Sequence, residues 1–243
     1  MESKMNFCVF VQARLTSSRF KGKVLKKIKN KTLLNIILSR LKKSKKIDKI
    51  IVLIPDNKKN FFLKKTLIKK KVLIFEGSEK DVLDRYFQAS RKFNPKNIIR
   101  ITADCPLVDF KLIDKMISIF KSKKCDYISN TFPPTFPDGL DIEIFKTKAL
   151  EKVWKTVKNN YDREHVTSFF KSSDKFRIIN HKNKENYSHF RFTVDYKEDL
   201  DFIKKIFNYF SPSIYFSWEQ VVKLIDIYPK WFLINRNKKN EKN

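Results

Sequence analysis

Glycine is nearly absent from this chain: 3 residues in 243, at positions 22, 77 and 139. That scarcity excludes every glycine-rich phosphate loop. Gly22-Lys23 is followed by Val24 and lacks the upstream Gly of G-x-x-x-x-G-K-[ST], and no G-x-G-x-x-G occurs. Cysteine is equally rare. Cys8, Cys105 and Cys125 are odd in number and include no C-x-x-C, which argues against a disulfide framework or a cysteine-built zinc site. Long apolar runs are missing too. IIVLI at 50–54 is far short of the ~20 residues that span a bilayer. The opening MESKMNFCVFVQARL has too short an apolar segment for a signal peptide and no small-residue cleavage site. A cytoplasmic protein with no membrane partner is therefore expected.

Acidic residues are outnumbered 54 to 26, for a formal net charge of +28. Such a charge ordinarily points to nucleic acid. Here the basic residues are mostly Lys and run along the whole chain, while Asn, Ile and Phe abound. This pattern reads as compositional drift rather than one phosphate-binding patch, and no RRM signature, paired zinc ligands or helix-turn-helix appears. No nucleic-acid partner is expected. Drift makes the exceptions informative. Only 10 of the 54 basic residues are Arg. An Arg that resists Lys sits where a bidentate fork is needed, and a surviving Gly sits where φ is positive or backbone must approach closely.

Apolar runs at 6–12, 49–55, 72–75 and 97–102 are four to seven residues long, β-branched or aromatic, and bounded by polar turns. Near-continuous apolar strands belong to a parallel sheet covered on both faces. Helical stripes lie between them: Leu33, Leu34, Ile37, Leu38 and Leu41, then Leu112, Ile113, Met116, Ile117 and Phe120 after the fourth strand. The alternation predicts right-handed β-α-β crossovers in a doubly wound α/β sheet. Beyond 125 the regularity breaks. CDYISN reads as a strand and TFPPTFPDGLDIEIF as an irregular loop, ending in a strand with Asp141 and Glu143 on a wet face. Helices are expected near 146–158, 162–172, 197–209 and 217–226, and strands near 176–181 and 190–194. Residues 1–230 are expected to form one domain, with 231–243 a disordered basic tail.

In open α/β sheets ligands bind beyond the carboxyl ends of the strands. Four polar clusters fall there. The loop after the first strand carries Arg14, Ser17, Ser18, Arg19 and Lys23, which make either an anion cradle or a solvated basic loop. EGSEKDVLDRY, 76–86, offers Ser78 as helix N-cap ahead of Asp84 and Arg85. In RITADCPLVD, 100–109, Asp104 closes a buried strand, where a lone carboxylate is expensive unless paired or metal-bound. Asp109 is the better N-cap of the helix that follows. Asp195, in FTVDYKEDL, ends another strand and is either a second metal carboxylate or an N-cap. Two carboxylates and a basic loop describe a nucleoside triphosphate held through Mg²⁺.

Taken in order, VQAR-x-x-SSR-x-x-GKVL, GSEKDVLDRY, RITADCPLVD, PDGLDIEIF, DREHVT and FTVDYKEDL resemble the cytidylyltransferases of the CMP-Kdo and CMP-acylneuraminate synthetase group, nearest its SpsF-type spore-coat polysaccharide branch. The similarity spans about 6 to 205. It implies a GT-A-like nucleotidyltransferase fold and transfer of CMP from CTP to a sugar hydroxyl, with pyrophosphate released. Arg14, Arg19, Lys23 and Asp104 would be catalytic, and Asp104 and Asp195 would hold Mg²⁺. Ala13, Arg14, Ser17, Arg19, Lys23, Ser78, Asp84, Arg85 and Ala103 would line the nucleotide. Asp138, Asp141, Glu143, Arg163 and His165 would fall in the acceptor region. A homodimer is expected. The chain departs from the Kdo enzymes, which usually carry Gln-Gly-Asp, in having Thr102-Ala103-Asp104. A sugar-1-phosphate nucleotidylyltransferase and a GT-A glycosyltransferase are the rival enzyme readings.

Overall fold

The computed structural model describes residues 5–236. The first strand, β1 (Phe7–Gln12), lies at the middle of the sheet. A two-stranded ribbon of β2 (Lys27–Ile28) and β3 (Lys31–Thr32) follows the basic loop. The sheet continues with β4 (Lys49–Pro55), β5 (Leu73–Gly77), β6 (Asn97–Thr102), β7 (Tyr127–Ser129), β8 (Glu143–Lys146) and β9 (Ile178–Asn180). Its seven strands run in the order β5-β4-β1-β6-β8-β7-β9. Strand β1 pairs in parallel with β4 and β6, and β4 with β5, while β8 runs antiparallel to both β6 and β7. The order reverses at β1, so a crevice opens beyond Gln12 where the crossovers diverge.

Alternation along β1 builds both cores. Phe7, Val9 and Val11 face a cluster that includes α1 (Leu33–Leu41), α4 (Phe110–Lys123), α8 (Lys197–Tyr209) and α9 (Trp218–Ile227). Cys8 and Phe10 face the other, made with α3 (Val82–Phe93) and α5 (Thr147–Thr156). Helices therefore cover both faces, as the apolar strands predict. Helix α4 starts where Asp109 accepts from the backbone N–H of Lys111 and Leu112, an N-cap as its position predicts. Arg40 on α1 is buried, and its guanidinium donates to the carbonyls of Leu107, Val108, Ile214 and Phe216. Lysine has no such fork, which accounts for this arginine.

Several expectations need correction. The strand expected at 190–194 is absent. Phe190, Phe192 and Val194 are buried as expected, but this stretch makes only one bridge, Asp138 to Arg191. It crosses the strand ends, with Phe192 N–H on the Asp138 carbonyl and Val194 N–H on the Asp104 carbonyl. The wet face expected around Glu143 is also wrong, because Glu143 is 4% exposed. The helix expected at 162–172 is two pieces, α6 (Asn160–His165) and α7 (Ser168–Ser172). They break at Val166, whose φ of 65° and ψ of −51° make a γ-turn closed by Thr167 N–H on the His165 carbonyl at 2.6 Å. Asn159 caps α6. Asp81, not Ser78, caps α3; Ser78 Oγ instead accepts from the Asp81 N–H. The chain does not leave the body at 231. Trp231, Phe232 and Ile234 pack on the core, and Asn235 is 1% exposed. The rest of the expected tail, 237–243, lies outside the described residues.

Gly139 sits where 190–194 crosses over. Its φ is +101°, and a Cβ there would lie 2.4 Å from the Thr193 nitrogen and 2.6 Å from the Phe192 carbonyl carbon. Both neighbours are backbone, so neither can step aside cheaply. Gly139→Ala is expected to lower unfolding stability by roughly 2–3 kcal/mol, read as a fall in denaturant midpoint at unchanged slope. An unchanged midpoint would show that the crossing segment is free to move.

Candidate active site

The loop between β1 and the 3-10 turn Lys23–Leu25 is bent by Gly22, which is left-handed at φ 69°. This loop is pinned from both sides. Leu15 N–H donates to Asn60 Oδ1 at 2.8 Å, and Thr16 Oγ1 donates to Glu79 Oε1 at 2.6 Å. The second oxygen of Glu79 accepts from Asn57 Nδ2 at 2.7 Å. So fixed, the loop aims Lys23 inward, and its residue is only 7% exposed.

Lys23 Nζ lies 2.7 Å from Asp104 Oδ2 and 2.7 Å from Asp195 Oδ1. These carboxylates are 91 residues apart in sequence and meet because 190–195 crosses the end of β6. Burial would drive the Lys23 ammonium to lose its proton. The facing carboxylates outweigh that and raise its pKa above the usual value. Burial likewise pushes the Asp195 carboxyl up, and Lys23 beside it, with Arg19, brings it below the ordinary range. Arg19 reaches Asp195 Oδ1 at 3.0 Å. Arg191, only 4% exposed, joins Asp195, Asp199 and Asp138 at 2.9, 2.9 and 3.2 Å. Asp199 is fully buried and also accepts from the N–H groups of Asp195 and Tyr196.

The donors suit a hard cation. Two carboxylate oxygens converge on the point that the Lys23 ammonium occupies. Among the described residues no group of three or more His, Cys, Asp and Glu side chains forms a metal cage. Mg²⁺ needs none, since it takes one or two carboxylates together with substrate phosphates.

The other expected residues are distributed as follows. Ala13 and Ala103 are buried, with their N–H groups on the Leu53 and Gln12 carbonyls, at the floor of the crevice. Arg14 is exposed and Ser17 half-buried on the pinned loop. Arg85 is buried; desolvation first, with Arg14 as a further contributor, lowers its pKa to about 10. Asp84 faces the other way, accepting from Trp154 Nε1 at 2.9 Å. Asp138 is tied to Arg191, and Asp141 accepts weakly from the Gly139 N–H at 3.4 Å. His165 is exposed against Tyr161, with ring centroids 4.4 Å apart.

Two acceptor candidates are internal fastenings. Arg163 pairs with Asp81 at 2.5 Å and donates to the Trp154 and Val157 carbonyls, so it fixes α6 to the ends of α3 and α5. Glu143 is enclosed by Arg100, Tyr127 and Thr167. A cavity of about 620 Å³ bordered by Arg91, Lys96, Lys146 and Glu151 opens at the opposite end of the strands and holds none of these residues.

Burial would raise the Glu143 carboxyl, but Arg100 dominates and holds it at about 2, against 4.5 ordinarily. A depressed pKa gives stability that is present above about pH 4.5 and lost as pH falls toward 2. Glu143→Gln is therefore expected to flatten the acid limb of the stability–pH curve, followed by denaturant midpoints. An acid limb as steep as that of the unaltered protein would remove Glu143 as its source.

Arg191 is marked in the sequence as one of ten arginines in a lysine-rich chain, but only the structure shows that it joins Asp138, Asp195 and Asp199; Asp199 is the residue the sequence left unmarked. Asp199 stands in KEDLDF among ordinary helix-start acids and carries no such mark.

A family model described as "Cytidylyltransferase" matches residues 8–225. An uncharacterised protein of Methanocaldococcus jannaschii is 36% identical, with 96% of each chain covered. The spore coat polysaccharide biosynthesis protein SpsF of Bacillus subtilis is 31% identical, over 84% of this chain and 87% of its own. Among solved structures, a cytidylyltransferase from Leptospira borgpetersenii superposes with a TM-score of 0.90 at 32% identity, covering 97% of this chain and 98% of that one.

Proposed function

The chain belongs to the cytidylyltransferase family and is a nucleotidyltransferase; from that premise we propose that it transfers CMP from CTP to a sugar hydroxyl, releasing pyrophosphate. The observation that carries the reading is Lys23 held 2.7 Å from both Asp104 and Asp195 beneath a loop bearing Arg14 and Arg19. Phosphates entering such a site meet three cations on one short segment. The SpsF relative's name, spore coat polysaccharide biosynthesis, supports a sugar acceptor.

In the reaction the sugar hydroxyl gives up its proton to solvent as its oxygen bonds to the α-phosphorus, the bond from that phosphorus to the β-phosphate oxygen breaks, and pyrophosphate leaves with the electron pair. Arg14 and Arg19 draw the triphosphate onto the loop, and Lys23 faces the charge that builds on its oxygens. Asp104 and Asp195 would hold Mg²⁺, which supplies charge neutralisation at phosphate oxygens and lowers the pKa of a bound hydroxyl. Arg191, on Asp195 Oδ2, and Asp199, accepting from the Asp195 N–H, keep the Asp195 carboxylate aimed. Asp138, on the same network, places the 131–141 loop beside the site.

The test is pyrophosphate release with each of the four nucleoside triphosphates, Mg²⁺ and a panel of sugars. CTP-dependent release with at least one sugar hydroxyl acceptor supports the reading. Release only with sugar 1-phosphates would move it to a sugar-1-phosphate nucleotidylyltransferase. Consumption of a nucleotide sugar without pyrophosphate would indicate a glycosyltransferase.

A further inference from the structure

Three buried polar atoms at the crevice have no hydrogen-bond partner: Gln12 Oε1, Arg85 Nε and Arg85 Nη1. Buried polar atoms are nearly always paired, so each one asks for a partner that comes from outside the chain. Gln12 ends β1 on the same side as Cys8 and Phe10, the side that packs against α3. Arg85 lies on α3. Its Cγ would be 3.0 Å from a Cβ at Gly77, so the guanidinium stem runs along the end of β5 in space that only glycine leaves.

The register fixes their separation. Gln12 is opposite Leu53, and Leu53 is opposite Phe75, two residues before Gly77. Strands β1 and β5 therefore stand two ladder spacings apart, about 10 Å. Both side chains are long, and they reach the same end of the sheet from either side of β4. Between them the chain offers one acceptor, from the Gln12 amide, and an N–H donor from the Arg85 guanidinium. Cytosine presents the complement along its pairing edge: the N4 amino donor, then the N3 and O2 acceptors. Uracil has an acceptor at O4 and a donor at N3, opposing Gln12 Oε1 with an oxygen and Arg85 with an N–H.

We propose that Gln12 is the residue that selects the base, its amide oxygen receiving the cytosine amino group while Arg85 donates to a ring acceptor, N3 or O2. The inference rests on the nucleotidyltransferase reading and deepens it. Arg14, Arg19 and Lys23 bind phosphate and are indifferent to the base. Affinity comes from the loop; choice of nucleotide comes from the end of β1.

Titration calorimetry on the full chain with Mg²⁺ tests this without knowing the acceptor. The ligands are CTP, UTP and inorganic tripolyphosphate, and the variants are Gln12→Met, which keeps the length but no hydrogen bond, and Gln12→Glu, which keeps an acceptor. The unaltered protein is expected to bind CTP about 10–100-fold tighter than UTP. Gln12→Met is expected to bring that ratio near one while tripolyphosphate affinity stays unchanged, and Gln12→Glu to retain a preference for CTP. Tripolyphosphate binding reports a folded site, and Gln12→Glu carries the comparison should Gln12→Met not fold. Equal CTP and UTP affinity in the unaltered protein overturns the proposal. So does an undiminished ratio in Gln12→Met, or a ratio lost in Gln12→Glu with tripolyphosphate still bound. Any of these three leaves the nucleotidyltransferase reading standing. Failure of the unaltered protein to bind any of the three ligands overturns both.

Discussion

Lys23→Ala is expected to lower CTP-dependent pyrophosphate release at least ~10²–10³-fold while the protein stays folded, the usual result of deleting one group aimed at transition-state charge. The effect should be that large because Lys23 is enclosed and its charge is poorly screened. It also stands between Asp104 and Asp195, so its removal leaves two carboxylates facing each other across a narrow gap. Asp195 retains Arg19 and Arg191, which limits the structural damage. Asp104→Asn should fall by a similar factor for a different reason. It keeps the shape of the side chain and a contact to Lys23 but loses the anionic oxygen that a divalent cation requires. Steady-state turnover and thermal melting, run side by side, check both. Turnover within a few fold of the unaltered protein in either variant would take that residue out of the chemistry. A two-state melt at the normal temperature confirms that activity, rather than folding, was measured.

The second large effect concerns stability. Arg191→Met is expected to cost about 3–5 kcal/mol, because breaking a buried ionic network from one side leaves uncompensated charge behind. Asp199 is fully buried and accepts from Arg191 through both oxygens. After the substitution it keeps two backbone N–H donors and the Asn235 amide, but no facing cation from Arg191. The prediction is checked by chemical denaturation near neutral pH. The double variant Arg191→Met with Asp199→Asn should recover part of the loss, since the charge left unpaired is then gone. A single-variant loss under ~1 kcal/mol would show that water reaches the network and that its burial is apparent only.

Much of this was legible in the chain. Of the four apolar runs up to residue 102, those at 6–12, 49–55 and 97–102 are largely buried on both faces and give a strong signal. The run at 72–75 belongs to the half-exposed edge strand β5, and the sheet follows all four. The second half was misread where tertiary contacts override pattern. FRFTV alternates like a strand, yet Arg191 and Thr193 turn toward Asp138, Asp199 and the Asp104 carbonyl instead of a ladder partner. The helix across 162–172 has continuous helical composition, and nothing in DREHVTSFF announces that Val166 takes a positive φ. The site was readable where chemistry is costly. A carboxylate at the end of a buried strand, rare arginines and three glycines are choices a drifting composition would have erased. Glu143 and Arg163 illustrate the limit: charged residues in a matched motif serve the interior as readily as a ligand.

Asn235 ties the end of the described chain to the ionic network. Its amide nitrogen reaches the Arg191 carbonyl at 3.0 Å and Asp199 Oδ1 at 3.0 Å, ten residues after the matched family region ends. The C-terminal strand of chain is thus a keystone set beneath the ionic arch. A version of the protein trimmed at residue 230 would retain Lys23, Asp104 and Asp195 and still lose the wedge that steadies them, so where the gene is cut decides how firmly the two aspartates are held.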